Sequence, residues 1–128
     1  MASSVAEMKP LPRERAADGT AGTGQALVPF AFEASSLLKA LGHEGRLMIL
    51  GHLRDGAKSV AELNEVIPTS QSVISSHLAR LRYEGLVRFR KEGKRHLYEL
   101  ADPRTRDMID LITGVFCEGL KPHGAKAR

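Results

Sequence analysis

The side chains best placed to do chemistry in this sequence are hydrogen-bonding polar groups and cations, not nucleophiles or metal ligands. Ser70, Gln71, Ser72, Ser75, Ser76, His77 and Arg80 lie close together, and Arg90, Lys91, Lys94 and Arg95 follow in a second short stretch. Glutamine presents a donor and an acceptor side by side, which suits an adenine edge, and the arginine fork suits guanine. Lysine and arginine both hold phosphate. An enzyme needs different parts. There is no glycine-rich phosphate loop and no carboxylate pair beyond ordinary helical spacing, and Cys117 is the single cysteine, with no positioned base. His43, His52, His77, His96 and His123 show no ligand spacing, so neither a metal nor another cofactor is expected.

Charge distribution agrees with a polyanionic partner. The chain of 128 residues carries a net +4. From Ser70 to Leu100, Arg80, Arg82, Arg88, Arg90, Lys91, Lys94 and Arg95 stand against Glu84, Glu92 and Glu99, so this one segment carries a net charge equal to that of the whole chain. A basic segment in a small protein points to nucleic acid, although an ordinary solvated face has the same signature. The apolar fraction of 42%, with no Trp, allows a modest core built from aliphatic side chains and favours packed helices. No apolar run reaches the ~20 residues of a membrane span, and no secretory leader pattern opens the chain. One cysteine excludes an intrachain disulfide framework and fits a reducing compartment, so a cytoplasmic location is expected.

These residues need elements to position them. Residues 1–25 mix Pro, Gly, Ser, Thr and charge without a period and read as a flexible arm; residues 26–120 form the folded domain, and 121–128 a basic tail. Phe30, Leu37, Leu38 and Leu41 predict a first helix, and a second runs over Glu44–Leu53 with Leu47, Met48 and Leu50 inward. Gly51 inside that helix implies close backbone packing. Ser59-Val60-Ala61-Glu62 is a capping box opening a short helix with Val60, Leu63 and Val66 inward, ending near Pro68. The next helix starts at Ser70, buries Ile74, Leu78 and Leu81, and stops at Gly85. Two short helices with such a break make a helix-turn-helix pattern. Period-two alternation over Leu86–Arg90 and Arg95–Leu100, around a turn at Lys91–Lys94, predicts a basic-tipped hairpin. Asp102-Pro103 then caps and opens a last helix bearing Met108, Ile109, Leu111, Ile112, Val115 and Phe116. That is more apolar surface than one side of a small monomer needs, and with the first helix it suggests pairing of two copies; core cover alone is the alternative.

Residues Leu37 to Leu100 resemble the ArsR/SmtB family of bacterial winged-helix repressors. The likeness rests on Leu38-Lys39-Ala40-Leu41-Gly42-His43, Arg46-Leu47-Met48-Ile49-Leu50, and Ser59-Val60-Ala61-Glu62-Leu63. It continues through Ser70-Gln71-Ser72-Val73-Ile74-Ser75-Ser76-His77-Leu78, Leu81-Arg82-Tyr83-Glu84-Gly85-Leu86-Val87, and the hairpin from Arg90 to Tyr98. A departure is Glu44-Gly45, where many members have proline and a polar residue; it weakens the start of the second helix. The resemblance implies a mainly α fold with a small β-hairpin, four helices followed by two strands and a fifth helix. It further implies a homodimer joined by its terminal helices, with each recognition helix in a major groove of a palindromic double-stranded operator and repression as the outcome. Gln71 and Ser72 then occupy the helix start, and Ser75, Ser76 and Arg80 lie off the buried stripe. Arg90, Lys91, Lys94 and Arg95 hold phosphate or the minor groove, and His77 is either packed or in contact with DNA. A winged-helix module that binds protein and has lost DNA is the rival reading.

The family's sensing sites fit poorly by the same resemblance. The thiolate metal site falls on Ser59-Val60-Ala61, and the terminal-helix zinc site on Asp102, Arg104, Val115 and Glu118, half of them unable to ligate. Phe116-Cys117 looks like the sulfur-responsive (BigR/SqrR-like) branch, whose second cysteine falls here on Gly51. Cys117 is therefore either a lone redox or persulfide sensor or a buried, inert thiol; otherwise the chain senses nothing directly or binds an organic ligand between its helices.

Overall fold

The computed structural model describes residues 22–119, with side chains to Cys117. Most of the N-terminal arm, the Glu118 side chain, His123 and the basic tail lie outside the described residues. The chain divides into two units, Met1–Lys39 and Ala40–Arg128. Helix α1 (Thr23–Leu27) passes through a 3₁₀ turn (Val28–Phe30) into α2 (Ala31–Leu41), whose last two residues belong to the second unit. Helical structure thus begins three residues before the expected Ala26. Phe30, Phe32 and Leu38 are exposed.

The second unit contains α3 (Glu44–Leu53), α4 (Val60–Val66), α5 (Gln71–Tyr83), β1 (Val87–Glu92), β2 (Arg95–Leu100) and α6 (Pro103–Thr113). The order and the single antiparallel hairpin are those of a winged helix-turn-helix. Its core is aliphatic: Ile49, Leu50, Leu53, Leu63, Ile67, Ile74, Leu78, Leu81, Leu86, Val87, Leu97 and Ile109 are buried. Burial of a side chain of this size is worth about 1.5–3 kcal/mol.

Two expected stripes are displaced. In α3, Met48 is exposed while Ile49 and Leu53 join Leu50 inside. Four successive apolar residues, Leu47 to Leu50, point all round a helix, so periodicity could not select the inner face. In α4, Val66 is exposed and Ile67, one turn beyond Leu63, takes the inward position. Gly51 is also not where expected: a Cβ there would meet nothing within 4 Å. The tight glycine of α3 is Gly45, where a Cβ would stand 2.9 Å from Nε2 of His77. Nor is the start of α3 uncapped, because Nδ1 of His43 accepts the Gly45 amide at 3.1 Å.

The caps of the other helices follow the sequence. Ser59 Oγ accepts the Glu62 amide at 3.1 Å while Glu62 Oε1 accepts the Ser59 amide at 2.8 Å, completing the capping box. Asp102 accepts the Arg104 amide with Pro103 in the first turn. After α6 the chain widens into a π-helical turn, Gly114–Gly119, so Val115, Phe116 and Cys117 leave the α-helical register. Gly114, a weak helix former, stands at that switch.

Candidate nucleic-acid interface

Helix α5 is fixed at both ends by local chemistry. At its N-terminus Ser70 Oγ accepts the Val73 amide at 3.2 Å. At its C-terminus the Leu86 amide reaches the Leu81 carbonyl and the Gly85 amide that of Arg82, with Gly85 at φ +80°. This double bond pattern closes the helix and requires the left-handed conformation that glycine adopts freely. Between the ends, Ile74, Leu78 and Leu81 are each 0% exposed. The turn between α4 and α5 is held by Asn64 Nδ2, which donates to the Thr69 carbonyl at 2.7 Å. With one face anchored, the other is left to solvent: Ser70, Gln71, Ser72, Ser75, Ser76 and Arg80 are all exposed.

His77 differs from the other residues expected on this face. It is half-buried, its ring meeting that of His43 edge-on with centroids 4.7 Å apart. Burial, then the neighbouring His43 and Arg46 charges, pull its pKa below the usual histidine value. It packs α5 against the start of α3. Alongside lies an open, mainly apolar cleft of about 300 Å³ bordered by Met48, Pro68 and Val73.

The hairpin is tighter than expected. Lys91 and Glu92 belong to β1, Glu92 pairs with Arg95, and the connection is only Gly93-Lys94, with Gly93 at φ +64°. Leu97 and Val87 bury its base, and the Phe89 ring meets that of His96 edge-on and that of Tyr98 at a tilt. Arg82, at the end of α5, lies 5.2 Å from the Phe89 ring centroid, a cation–π contact joining α5 and the hairpin. Two backbone bonds join Lys58 and Tyr98, Lys58 N–H to Tyr98 O at 3.0 Å and Tyr98 N–H to Lys58 O at 2.8 Å. The segment before α4 is thereby seamed to β2.

Of the five expected contact cations, three are engaged within the chain. Arg80 donates to Glu84 at 2.7 Å, Arg90 to Glu99 at 3.1 Å, and Arg95 to Glu62 at 2.8 Å. Glu99 also accepts Arg88 at 2.8 Å, and these two arginines hold its carboxyl below the usual carboxylate range. Lys91 and Lys94 are exposed and make no ion pair among the described residues. Sequence reasoning missed Glu62 as a wing partner, since a contact between residues so far apart in the chain has no local signal. It also missed Arg82, whose place beside the Leu81 anchor was the available clue. Cys117 is exposed in the single chain. Among the described residues no three His, Cys, Asp or Glu side chains converge as a metal site would require.

Residues 43–88 match the family described as bacterial regulatory protein, arsR family. The chain is 43% identical to the transcriptional activator HlyU of Vibrio cholerae, covering 67% of this chain and 80% of that protein. It is 37% identical to the biofilm growth-associated repressor of Agrobacterium fabrum, covering 68% and 74% respectively. Among solved structures, the transcriptional repressor BigR from Xylella fastidiosa aligns with TM-score 0.70 at 32% identity, covering 75% of this chain and 98% of that one. Reduced HlyU from Vibrio cholerae aligns with TM-score 0.67 at 41% identity, covering 73% and 98%.

Proposed function

The chain belongs to the ArsR family of bacterial regulatory proteins and is a DNA-binding transcriptional regulator, and from that premise we propose how it reads its site. Two copies bind a palindromic operator, each inserting the start of α5 into a major groove while the wing tip grips the adjacent backbone or minor groove. Gln71, Ser72, Ser75, Ser76 and Arg80 face base edges and nearby phosphates, and Ser70 both caps the helix and borders the backbone. Arg90, Lys91, Lys94 and Arg95 supply sequence-independent charge. His77 acts indirectly, by seating α5 on α3. The carrying observation is the division of α5 into a fully buried Ile74-Leu78-Leu81 stripe and an exposed polar face adjoining a cationic hairpin.

Pairing of copies is proposed through the terminal helices. The last helical segment exposes Leu111, Val115 and Phe116, the last of these at 62%, an apolar cluster of the kind that marks an interaction site. Separately, α2 and the turn before it expose Phe30, Phe32 and Leu38. Repression is the proposed outcome, by occupancy of the operator, in the cytoplasm; among the described residues no helix is long and apolar enough to cross a membrane. A sensing role for Cys117, which adjoins Phe116 in this segment, is a proposal of the same kind.

The test is selection of preferred duplexes from random DNA, followed by titration of the selected site over a range of salt, with sedimentation to give the stoichiometry. The proposal expects two chains per palindrome and affinity falling about tenfold or more over a modest rise in salt. A monomer whose duplex affinity barely responds to salt would favour the protein-interaction module instead.

A further inference from the structure

The carboxylate of Glu62 has two partners in two different elements. Oε1 closes the capping box at the start of α4, and Oε2 accepts Nη2 of Arg95 at the wing at 2.8 Å. The first bond fixes the side-chain rotamer, so the second oxygen is held ready toward the wing. In register Arg95 stands opposite Glu92, yet its guanidinium reaches across to the helix-turn-helix instead. The backbone seam between Lys58 and Tyr98, four residues before Glu62 and three after Arg95, ties the two elements together. The Ser59 amide, and then Arg95, lower the pKa of Glu62, so the group remains anionic through the neutral range.

We propose that Glu62 is an internal stand-in for a DNA phosphate, holding Arg95 in the free protein so that the wing's grip is set by exchange of Arg95 between this carboxylate and the backbone of a bound duplex. The inference rests on the DNA-binding reading given above. Carboxylate and phosphate present the same paired-oxygen target to a guanidinium, so the two compete for one geometry. Both partners are about half exposed, and an ion pair of that exposure shifts an equilibrium by no more than about fivefold. The hold is therefore weak enough for a duplex to displace. It is also independent of sequence, so it lowers affinity for all DNA and leaves base preference unchanged. The pair Arg90–Glu99 differs in kind, because both members ride on the wing and move together.

Glu62→Gln tests this without dismantling the helix, because glutamine also serves in a capping box. The control is Glu65→Gln, which removes the same charge from an exposed site on the same helix with no paired arginine among the described residues. Affinities for the selected duplex and for an unrelated duplex are measured across salt in both variants, alone and combined with Arg95→Ala, with thermal unfolding to verify folding. Glu62→Gln should tighten binding to both duplexes by about threefold more than Glu65→Gln, within the range such pairs span. It should also steepen the log–log salt slope by up to about 0.9, and its advantage should vanish in the Arg95→Ala background. Equal effects of the two glutamine variants, a gain that survives without Arg95, or a loss of affinity would each overturn the proposal. If the wild-type chain itself shows no salt-dependent duplex binding, the DNA-binding reading fails instead, which the same titration separates from failure of the exchange.

Discussion

Gly45→Ala and Gly51→Ala change two glycines of one helix, six residues apart, and should move stability in opposite directions. At Gly45 the new methyl would stand 2.9 Å from Nε2 and 3.3 Å from Cδ2 of His77, and 3.4 Å from Cε1 of His43. Carbon contacts are most favourable at about 3.5–4.0 Å, so the methyl enters a slot already closed by two rings. The His77 ring is half-buried and meets that of His43 edge-on, and His43 is itself tied to α3 by accepting the Gly45 amide, so displacing either ring disturbs these contacts. Overpacking of this kind costs about 1–3 kcal/mol, against a gain of about 1 kcal/mol or less for alanine over glycine in a first turn. The net expectation is a loss of about 1 kcal/mol. At Gly51 a Cβ meets nothing, so only the propensity gain of up to about 1 kcal/mol remains. Urea unfolding at pH 7.5, at one fixed protomer concentration because association shifts apparent stability, gives both values. In a His77→Ala background the Gly45→Ala penalty should disappear. A Gly45→Ala chain more stable than wild type, or a penalty unchanged when His77 is gone, would refute the steric account.

Further expectations concern the same elements. Because burial lowers the pKa of His77, the unfolded chain takes up this proton more readily than the folded one. Stability should therefore be full above the unfolded histidine value of about 6.5 and decline as pH falls from there toward the lower folded value. His77→Gln should flatten this part of the profile, and an unchanged slope between pH 7.5 and 5 in that variant would count against it. The lowered carboxylates Glu62, Glu99, Asp102 and Asp110 act in a more acidic window, below their ordinary values. Thr105 Oγ1 is buried with no hydrogen-bond partner among the described residues, so Thr105→Val should raise the urea midpoint by an equivalent of about 1 kcal/mol. Competition binding with base-substituted duplexes should show Arg80→Ala relaxing base preference and Lys94→Ala weakening all sequences alike; indistinguishable profiles would contradict the assigned roles.

Where local chemistry decides the backbone, the sequence was legible. Ser59 with Glu62, Ser70, Gly85 and Asp102 with Pro103 mark helix ends because each satisfies an end amide or carbonyl using neighbours within a few residues. The Ile74-Leu78-Leu81 stripe was legible because polar residues surround it on one helix. The inner faces of α3 and α4 were not, since Met48 against Ile49, and Val66 against Ile67, are choices between adjacent apolar residues that only tertiary packing makes. Gly45 and Gly51 look alike in sequence, and what separates them is the ring of His77, thirty-two positions beyond Gly45. The candidate interface divides similarly. Its membership could be read from charge and period, whereas the pairing of Arg95 with Glu62 depends on how hairpin and helix fold together. The Arg80–Glu84 pair, by contrast, has the four-residue spacing of a helical ion pair and is visible in the sequence.

The seam at Lys58 and Tyr98 makes these two residues natural reporters. Their amide protons are shielded only while hairpin and helix-turn-helix remain joined, so solvent deuterium can enter only when that junction parts or the whole unit unfolds. The slowing of their exchange relative to the rate of an unprotected amide gives the free energy of the opening that exposes them, and comparison with the α5 interior tells detachment of the hairpin from unfolding of the whole unit. A wing that detaches far more readily than the domain melts would be a hinged arm, and one that exchanges with the global rate would be a fixed blade.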